Sequence, residues 1–458
     1  MSTDAAAPRV GTLTRANPYW IDDWRPEDPD FWENGGGKQI ARRNLIFSIF
    51  SEHIGFSIWS LWSVFILFLG PAYGFDPSQK FLLVAMPAAV GSLVRLPYTF
   101  AVARFGGRNW TIFSALMLLL PCVLAGLVLE PGVSFTTLLL VALAAGVGGG
   151  NFASSMANIS TFYPQRLKGW ALGLNAGGGN IGVAVAQLVG LGVLATAGAT
   201  HPRLILLIYI PLIGISALGA ALFMNNLTPV KNDKRALRDA SKDGHTWVLS
   251  FLYIGTFGSF IGFSFAFGQV LLVQFPETFT KPLEAAYVTF LGPLVGSLIR
   301  PVGGTLADRL GGASVTFWNF VGMALAAGVV LVASLQESLP LFIGGFMSLF
   351  VFAGIGNGST YKMIPSIFRA KATLATEAGT DEAKATSEAR RLSGALIGIA
   401  GAVGALGGVL VNVAFRESFL SNGNGNAAYV SFIVFYAACF AVTWAVYLRP
   451  HRSRLPGV

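Results

Sequence analysis

The chain has 458 residues, 53% of them hydrophobic and only 12% charged, with a mean hydropathy of +0.62. So little charge cannot cover the surface of a water-soluble protein this long, which excludes a multi-domain soluble enzyme. The net charge of +9 could suit nucleic acid, but the placement of the basic residues argues against it.

The first 43 residues read as a polar, Pro-rich tail with Trp24, Phe31 and Trp32 near a membrane edge, not as a cleavable leader. Twelve apolar blocks follow, each long enough to cross hydrocarbon: 44–70, 81–103, 109–129, 134–163, 169–198, 204–224, 247–275, 286–307, 313–335, 339–367, 392–415 and 427–448. The expected fold is an all-α polytopic membrane protein. Six helices at 44–224 and six at 247–448 form two bundles, joined by a polar linker at 225–246 and closed by a short tail at 449–458. A polar stretch at 366–391, rich in helix formers, reads as a surface helix.

On this map, 24 of the 31 Lys and Arg fall in the tails and the even-to-odd loops, which predicts that both termini are cytoplasmic. Basicity here is a topology signal, and no nucleic-acid partner is expected. Cys122 and Cys439 lie inside apolar blocks and read as small buried hydrophobes. The four histidines are scattered, no nucleophile–base arrangement is visible, and neither a cofactor nor a metal is expected; the chain does not read as an enzyme.

The two halves repeat. Arg95 is followed at nine, eleven and twelve residues by Arg104, Gly106 and Gly107; Arg300 is followed at the same spacing by Arg309, Gly311 and Gly312. A Gly/Asn-rich stretch around Asn151 lies 56 residues after Arg95, and one around Asn357 lies 57 after Arg300. Parallel six-helix repeats are the mark of an alternating-access carrier.

The three basic residues inside spans are Arg95, Arg300 and Lys362. A buried arginine costs about 3 kcal/mol in hydrocarbon unless a partner offsets it. The spans offer one clear acid, Glu52, so pairing with internal acids cannot neutralise both arginines. The alternative is a shared role: two guanidinium groups facing each other across the interface between the halves and taking an anion. A planar fork suits a small, flat oxyanion. Gly148, Gly149, Gly150 and Asn151, and their counterparts Gly354, Gly356, Asn357 and Gly358, read as close helix packing, with sliding or gating as the functional alternative.

The run Gly304-Thr305-Leu306-Ala307-Asp308-Arg309-Leu310-Gly311-Gly312 resembles the G-x-L-x-D-R-x-G-G loop of the major facilitator superfamily. The stretches Gly146–Pro164 and Ala353–Pro365 resemble the two nitrate signatures of its nitrate/nitrite porter (NarK-type) family. Asp23–Pro29, Leu252–Phe263 and Ala171–Asn175 are also similar to that family. The resemblance covers nearly the whole chain. It implies a transporter of nitrate and nitrite in a bacterial-type inner membrane, with the lipid bilayer as surroundings and a monomer as the working unit. It implies that Arg95 and Arg300 clamp the anion, Phe152 and Phe257 sandwich its flat face, Tyr253 offers a hydroxyl and Asn175 a polar contact.

Glu52, His53 and Lys362 depart from the family pattern. One reading pairs Glu52 with Lys362 as a static ion bridge. The other has Glu52, with His53, take up and release a proton during the cycle. Nitrate carries no proton of its own, and each charge crossing 100 mV changes the energy by about 2.3 kcal/mol. Inward movement therefore needs either co-transported protons, the favoured reading, or exchange for nitrite. An organic-anion carrier and a non-transporting nitrate sensor are the remaining alternatives.

Overall fold

The computed structural model describes residues 18–228, 233–449 and 455; the remainder of both expected tails lies outside the described residues. The described chain is almost wholly helical, with twelve helices long and apolar enough to cross a membrane. They are α1 (Gly37–Phe68), α2 (Pro77–Phe105), α3 (Gly107–Val128), α4 (Phe135–Phe162), α5 (Gln165–Ala197), α6 (Arg203–Phe223), α7 (Gly244–Gln274), α8 (Pro282–Leu310), α9 (Gly312–Leu335), α10 (Leu339–Glu377), α11 (Glu382–Asn422) and α12 (Asn426–Leu448).

Helix ends follow local chemistry. Asp76 caps α2 in a capping box with Gln79, and Pro77 stands at the first helical position, where its missing N–H leaves no bond unmade. Asp243 and Asp381 cap α7 and α11 by accepting from backbone N–H groups. The repeated Arg-x-Gly-Gly turns are geometrically alike: Gly106 and Gly311 stop α2 and α8 at φ of 88° and 87°, a region that favours glycine. The following Gly107 and Gly312 begin the next helices, where an added Cβ would meet Asn158 at 1.9 Å and Met363 at 2.6 Å.

The 366–391 stretch is not a separate surface helix. Its helix formers instead prolong α10 to Glu377 and start α11 at Glu382, with a turn at Gly379 (φ 95°) between them. The linker contributes a short strand, Asn226–Leu227, paired in parallel with Trp20–Ile21 of the tail. It also contributes a helix, Lys234–Ser241. Trp24 donates its indole N–H to the Thr161 carbonyl (3.1 Å), and Trp32 is buried against Tyr163, so the tail packs on the end of α4.

The first six and last six helices meet largely through apolar groups. Phe81 of α2 stacks on Phe415 and Phe419 of α11, at 5.8 and 5.5 Å between centroids. Trp59 of α1 sets its edge against Phe265 of α7 (5.4 Å), and Gln187 of α5 donates to the Ser264 carbonyl (2.7 Å).

Candidate functional site

Arg95 on α2 is fully buried. Its Nε donates to the Gly149 carbonyl on α4 (3.1 Å), and its Nη1 crosses between the halves to the Gly401 carbonyl on α11 (2.7 Å). Its guanidinium carbon lies 4.7 Å from the centroid of Phe152, 4.9 Å from Phe257 and 5.4 Å from Trp59. Three aromatic faces around a desolvated cation each add electrostatic attraction, up to about 2 kcal/mol apiece. Nη2 has no protein partner.

Arg300 on α8 is also buried. Its Nη2 donates to the Tyr253 hydroxyl (3.4 Å), its guanidinium lies 5.7 Å from the Tyr361 ring, and Nη1 has no protein partner. The two arginines join one cluster, because Tyr253 stacks on Phe257 (5.2 Å, 8° between planes) and Phe257 contacts Arg95. A π-turn at Ile254–Gly258 in α7 carries Phe257. Such single wide turns re-aim side chains and recur at functional sites.

Phe152 and Phe257 face each other with centroids 6.1 Å apart and planes inclined by 27°. A flat anion held between two rings needs roughly 7 Å, two van der Waals layers. The present spacing falls short of that, so an anion entering between the rings must move them apart.

The glycines of both signatures are at close backbone approaches. A Cβ on Gly148 would meet the Gly55 carbonyl at 2.3 Å, one on Gly149 the Gly91 Cα at 2.8 Å, and one on Gly150 the Tyr98 ring at 2.7 Å. In α10, an added Cβ would meet the Gly296 carbonyl at 2.3 Å on Gly354, Thr256 and Asn319 at 2.4 Å on Gly356, and the Arg300 carbonyl at 2.3 Å on Gly358. The amides of Asn151 and Asn357 are buried and make no protein hydrogen bond.

Among the described residues Asn175 is hydrogen-bonded to Glu52, Ser155 and Met156 and to neither arginine. Its Nδ2 donates to Glu52 Oε2 (2.6 Å) and to the Ser155 hydroxyl, and Ser155 itself donates to Glu52. The expected Glu52–Lys362 bridge is not formed: Lys362 Nζ lies 2.6 Å from Asp308, in the last turn of α8, and both side chains are solvent-accessible. Among the described residues no cation pairs with Glu52. His53 Nδ1 is engaged by the Gly178 carbonyl (3.2 Å).

Sequence reasoning missed Trp59, Tyr361, Ser155 and Gly401. Ser155 and Tyr361 lie within the two signature stretches, and Trp59 had a signal in Gly91, four residues before Arg95, which makes room for its indole. Gly401 contributes a backbone carbonyl, which no side-chain pattern announces.

The Major Facilitator Superfamily model matches residues 45–410. Over 94% of this chain and 97% of its own length, the nitrate/nitrite transporter NarU of Salmonella typhimurium is 40% identical. The probable nitrate/nitrite antiporter NarK2 of Thermus thermophilus is 34% identical over 95% and 98%. The chain belongs to the nitrate/nitrite porter family of the Major Facilitator Superfamily. A solved bacterial homolog of the human lysosomal transporter Spinster shares the porter's fold, with a TM-score of 0.61 over 90% of this chain and 97% of that one, at 16% identity. The porter is thus a multi-pass membrane protein of two six-helix sets, and its family is one of transporters.

Proposed function

We propose that this porter moves nitrate and nitrite across the membrane by alternating access, with the anion clamped between Arg95 and Arg300. The observation that carries the reading is the pair of buried guanidinium groups in one aromatic cluster between the halves, each with a nitrogen left without a protein partner. Aromatic walls exclude water, and a drier site strengthens each charge-assisted hydrogen bond. Phe152 and Phe257 part to take the flat anion, Tyr253 steadies Arg300, and the glycines of α4 and α10 let helices slide without opening gaps. The halves 44–224 and 247–448 rock as two bodies in a bacterial inner membrane, with both termini cytoplasmic and a monomer as the unit.

Proton-coupled nitrate uptake is the favoured mode, because Glu52 sits in the spanning region without a cationic partner. Nitrate/nitrite exchange is the alternative, favoured by the name of the Thermus thermophilus relative. Proteoliposomes of purified protein test both. We expect nitrate uptake under an imposed inward proton gradient, without internal nitrite. Uptake that needs internal nitrite establishes exchange; no movement under either drive overturns the substrate assignment, and strong competition by small carboxylates would turn it toward organic anions.

A further inference from the structure

We propose that Asn357 gives a hydrogen to the third oxygen of nitrate and so sets the choice between nitrate and nitrite. The proposal rests on the clamp reading above, and the repeat locates the residue. Arg300 follows Arg95 by 205 residues, and the same shift relates the packing around them. An added Cβ on Gly107 would meet Asn158, and one on Gly312 would meet Met363; Gly150 closes on Tyr98, and Gly303 on Ile355. In both cases the second pair is the image of the first under that shift. It carries Phe152, whose ring lies 4.7 Å from the Arg95 guanidinium, onto Asn357.

The packing of α10 gives the direction of the side chain. Successive helical residues turn by about 100°. An added Cβ on Gly354 or Gly358 would strike the backbone of α8, at Gly296 and Arg300. One on Gly356 would strike Thr256 of the π-turn and Asn319 of α9. Asn357 falls between those two faces, toward the place where α7 and α8 bring Phe257 and Arg300 together. Tyr361, one turn further along the same face, agrees: its ring lies 5.7 Å from the Arg300 guanidinium and 6.1 Å from Tyr253.

Asn357 is 1% exposed, and neither its Nδ2 nor its Oδ1 has a protein partner. A buried amide is costly unless something meets both ends. Arg95 Nη2, Arg300 Nη1 and the Tyr361 hydroxyl are unmet as well. Each of the three nitrogens carries two hydrogens, and one hydrogen is enough for the Asn357 carbonyl. The surplus calls for a ligand that only accepts, and nitrate is such a ligand. Because no protein group holds either end of the amide, its amino group is free to turn to the anion. The two guanidinium groups then take two oxygens of nitrate, and Asn357 Nδ2 takes the third. Nitrite has two oxygens and stops at its nitrogen where the third would be, so it gains little from the amide.

Affinities for nitrate and for nitrite, measured calorimetrically on the full-length protein in lipid nanodiscs, test the assignment. Asn357→Leu keeps the size of the side chain and removes its hydrogen bonds; Asn357→Ala removes the amide without adding a branch, and either variant that folds is enough to decide. Each should weaken nitrate by about 10-fold, the effect of one hydrogen bond to a charged group, and nitrite by less than about 2-fold. The ratio of the two affinities then moves toward nitrite. Nitrate and nitrite weakened alike would make Asn357 a packing residue and overturn the assignment while leaving the clamp standing. Two unchanged affinities would overturn it as well. Wild-type protein that binds neither anion would overturn the substrate reading itself, and this assignment with it.

Discussion

Arg95 and Arg300 stand at matching places in the two halves, each four residues after a glycine that admits an aromatic ring from the neighbouring helix: Gly91 for Trp59, Gly296 for Phe260. There the likeness ends. Arg95 is held by two backbone carbonyls and faced by three rings, whereas Arg300 has one long bond to the Tyr253 hydroxyl and the face of Tyr361. The repeated backbone places two cations alike, and the side chains around them make one fixed and the other loosely held. In the clamp proposed above, one fixed and one adjustable jaw would close on an anion without both sides having to reorganise.

Replacing each arginine by lysine is the strongest way to break that comparison. Lysine keeps the charge and loses the planar fork. Losing about two charge-assisted bonds, near 3 kcal/mol together, predicts a fall in nitrate uptake of about 100-fold for either Arg95→Lys or Arg300→Lys. The fixed site should suffer the more, because one ammonium nitrogen would have to replace the two separate atoms, Nε and Nη1, that reach the Gly149 and Gly401 carbonyls. Near-normal uptake in both variants, measured in proteoliposomes, would sink the clamp.

Packing around the two arginines gives a smaller effect that sharpens the contrast. Gly358 lies against the Arg300 carbonyl, where an added methyl would stand 2.3 Å from backbone. Gly401, whose carbonyl binds Arg95, leaves room: its added Cβ would be 3.7 Å from Arg95 Nη1 and 3.8 Å from Phe152, ordinary contact distances. Gly358→Ala should therefore destabilise by about 1–3 kcal/mol, and Gly401→Ala should leave the melting temperature nearly unchanged. Equal losses in thermal melts of the two variants would mean that the tight packing behind Arg300 is not what holds that helix pair together.

Much of this was legible in the sequence, for identifiable reasons. Block length and hydropathy announce twelve crossings, because hydrocarbon tolerates little else. The spacing shared by Arg95 and Arg300 pointed to the repeat, and the repeat to a cluster that both arginines share, since an arginine in a span demands an explanation. Polarity misled at 366–391: it reports solvent, and a long helix can leave the membrane without ending, as α10 and α11 do. Pairing misled at Lys362, where a span-internal position suggested Glu52 although the acid one helix away, Asp308, was visible in the loop motif. The partners of Asn175 were hidden because an amide's hydrogen bonds are chosen by tertiary neighbours, and residues 52, 155 and 175 meet only when α1, α4 and α5 pack.

The smallest predicted effect belongs to Arg391, at one of two places along the linker that repeat the contrast of fixed and adjustable. At its start, Asn226 is wholly buried: its N–H donates to the Tyr19 carbonyl (2.8 Å) and its side chain bonds Asn109 on α3. At its far end, Arg391 of α11 reaches Asp233 (2.9 Å), Asp239 (2.7 Å) and Glu388 (2.6 Å) in contact with solvent. The hydrogen bond from Arg391 holds the Asp233 carboxyl below its ordinary range. A carboxylate so depressed contributes at neutral pH, and that contribution is lost as pH falls through the depressed value. Exposed ions are screened by salt, whereas buried neutral hydrogen bonds are not. Asn226→Ala, which strands buried partners, should lower stability by about 1–3 kcal/mol at any ionic strength. Arg391→Gln should give a shift in melting temperature that is small at low salt and absent near 1 M salt, where the screening length falls to about 3 Å. A loss in Arg391→Gln that persists at high salt would make the far end of the linker as fixed as its start, held by the packing of Ala236 and Ala240 against Ala395 and Ile399 rather than by charge.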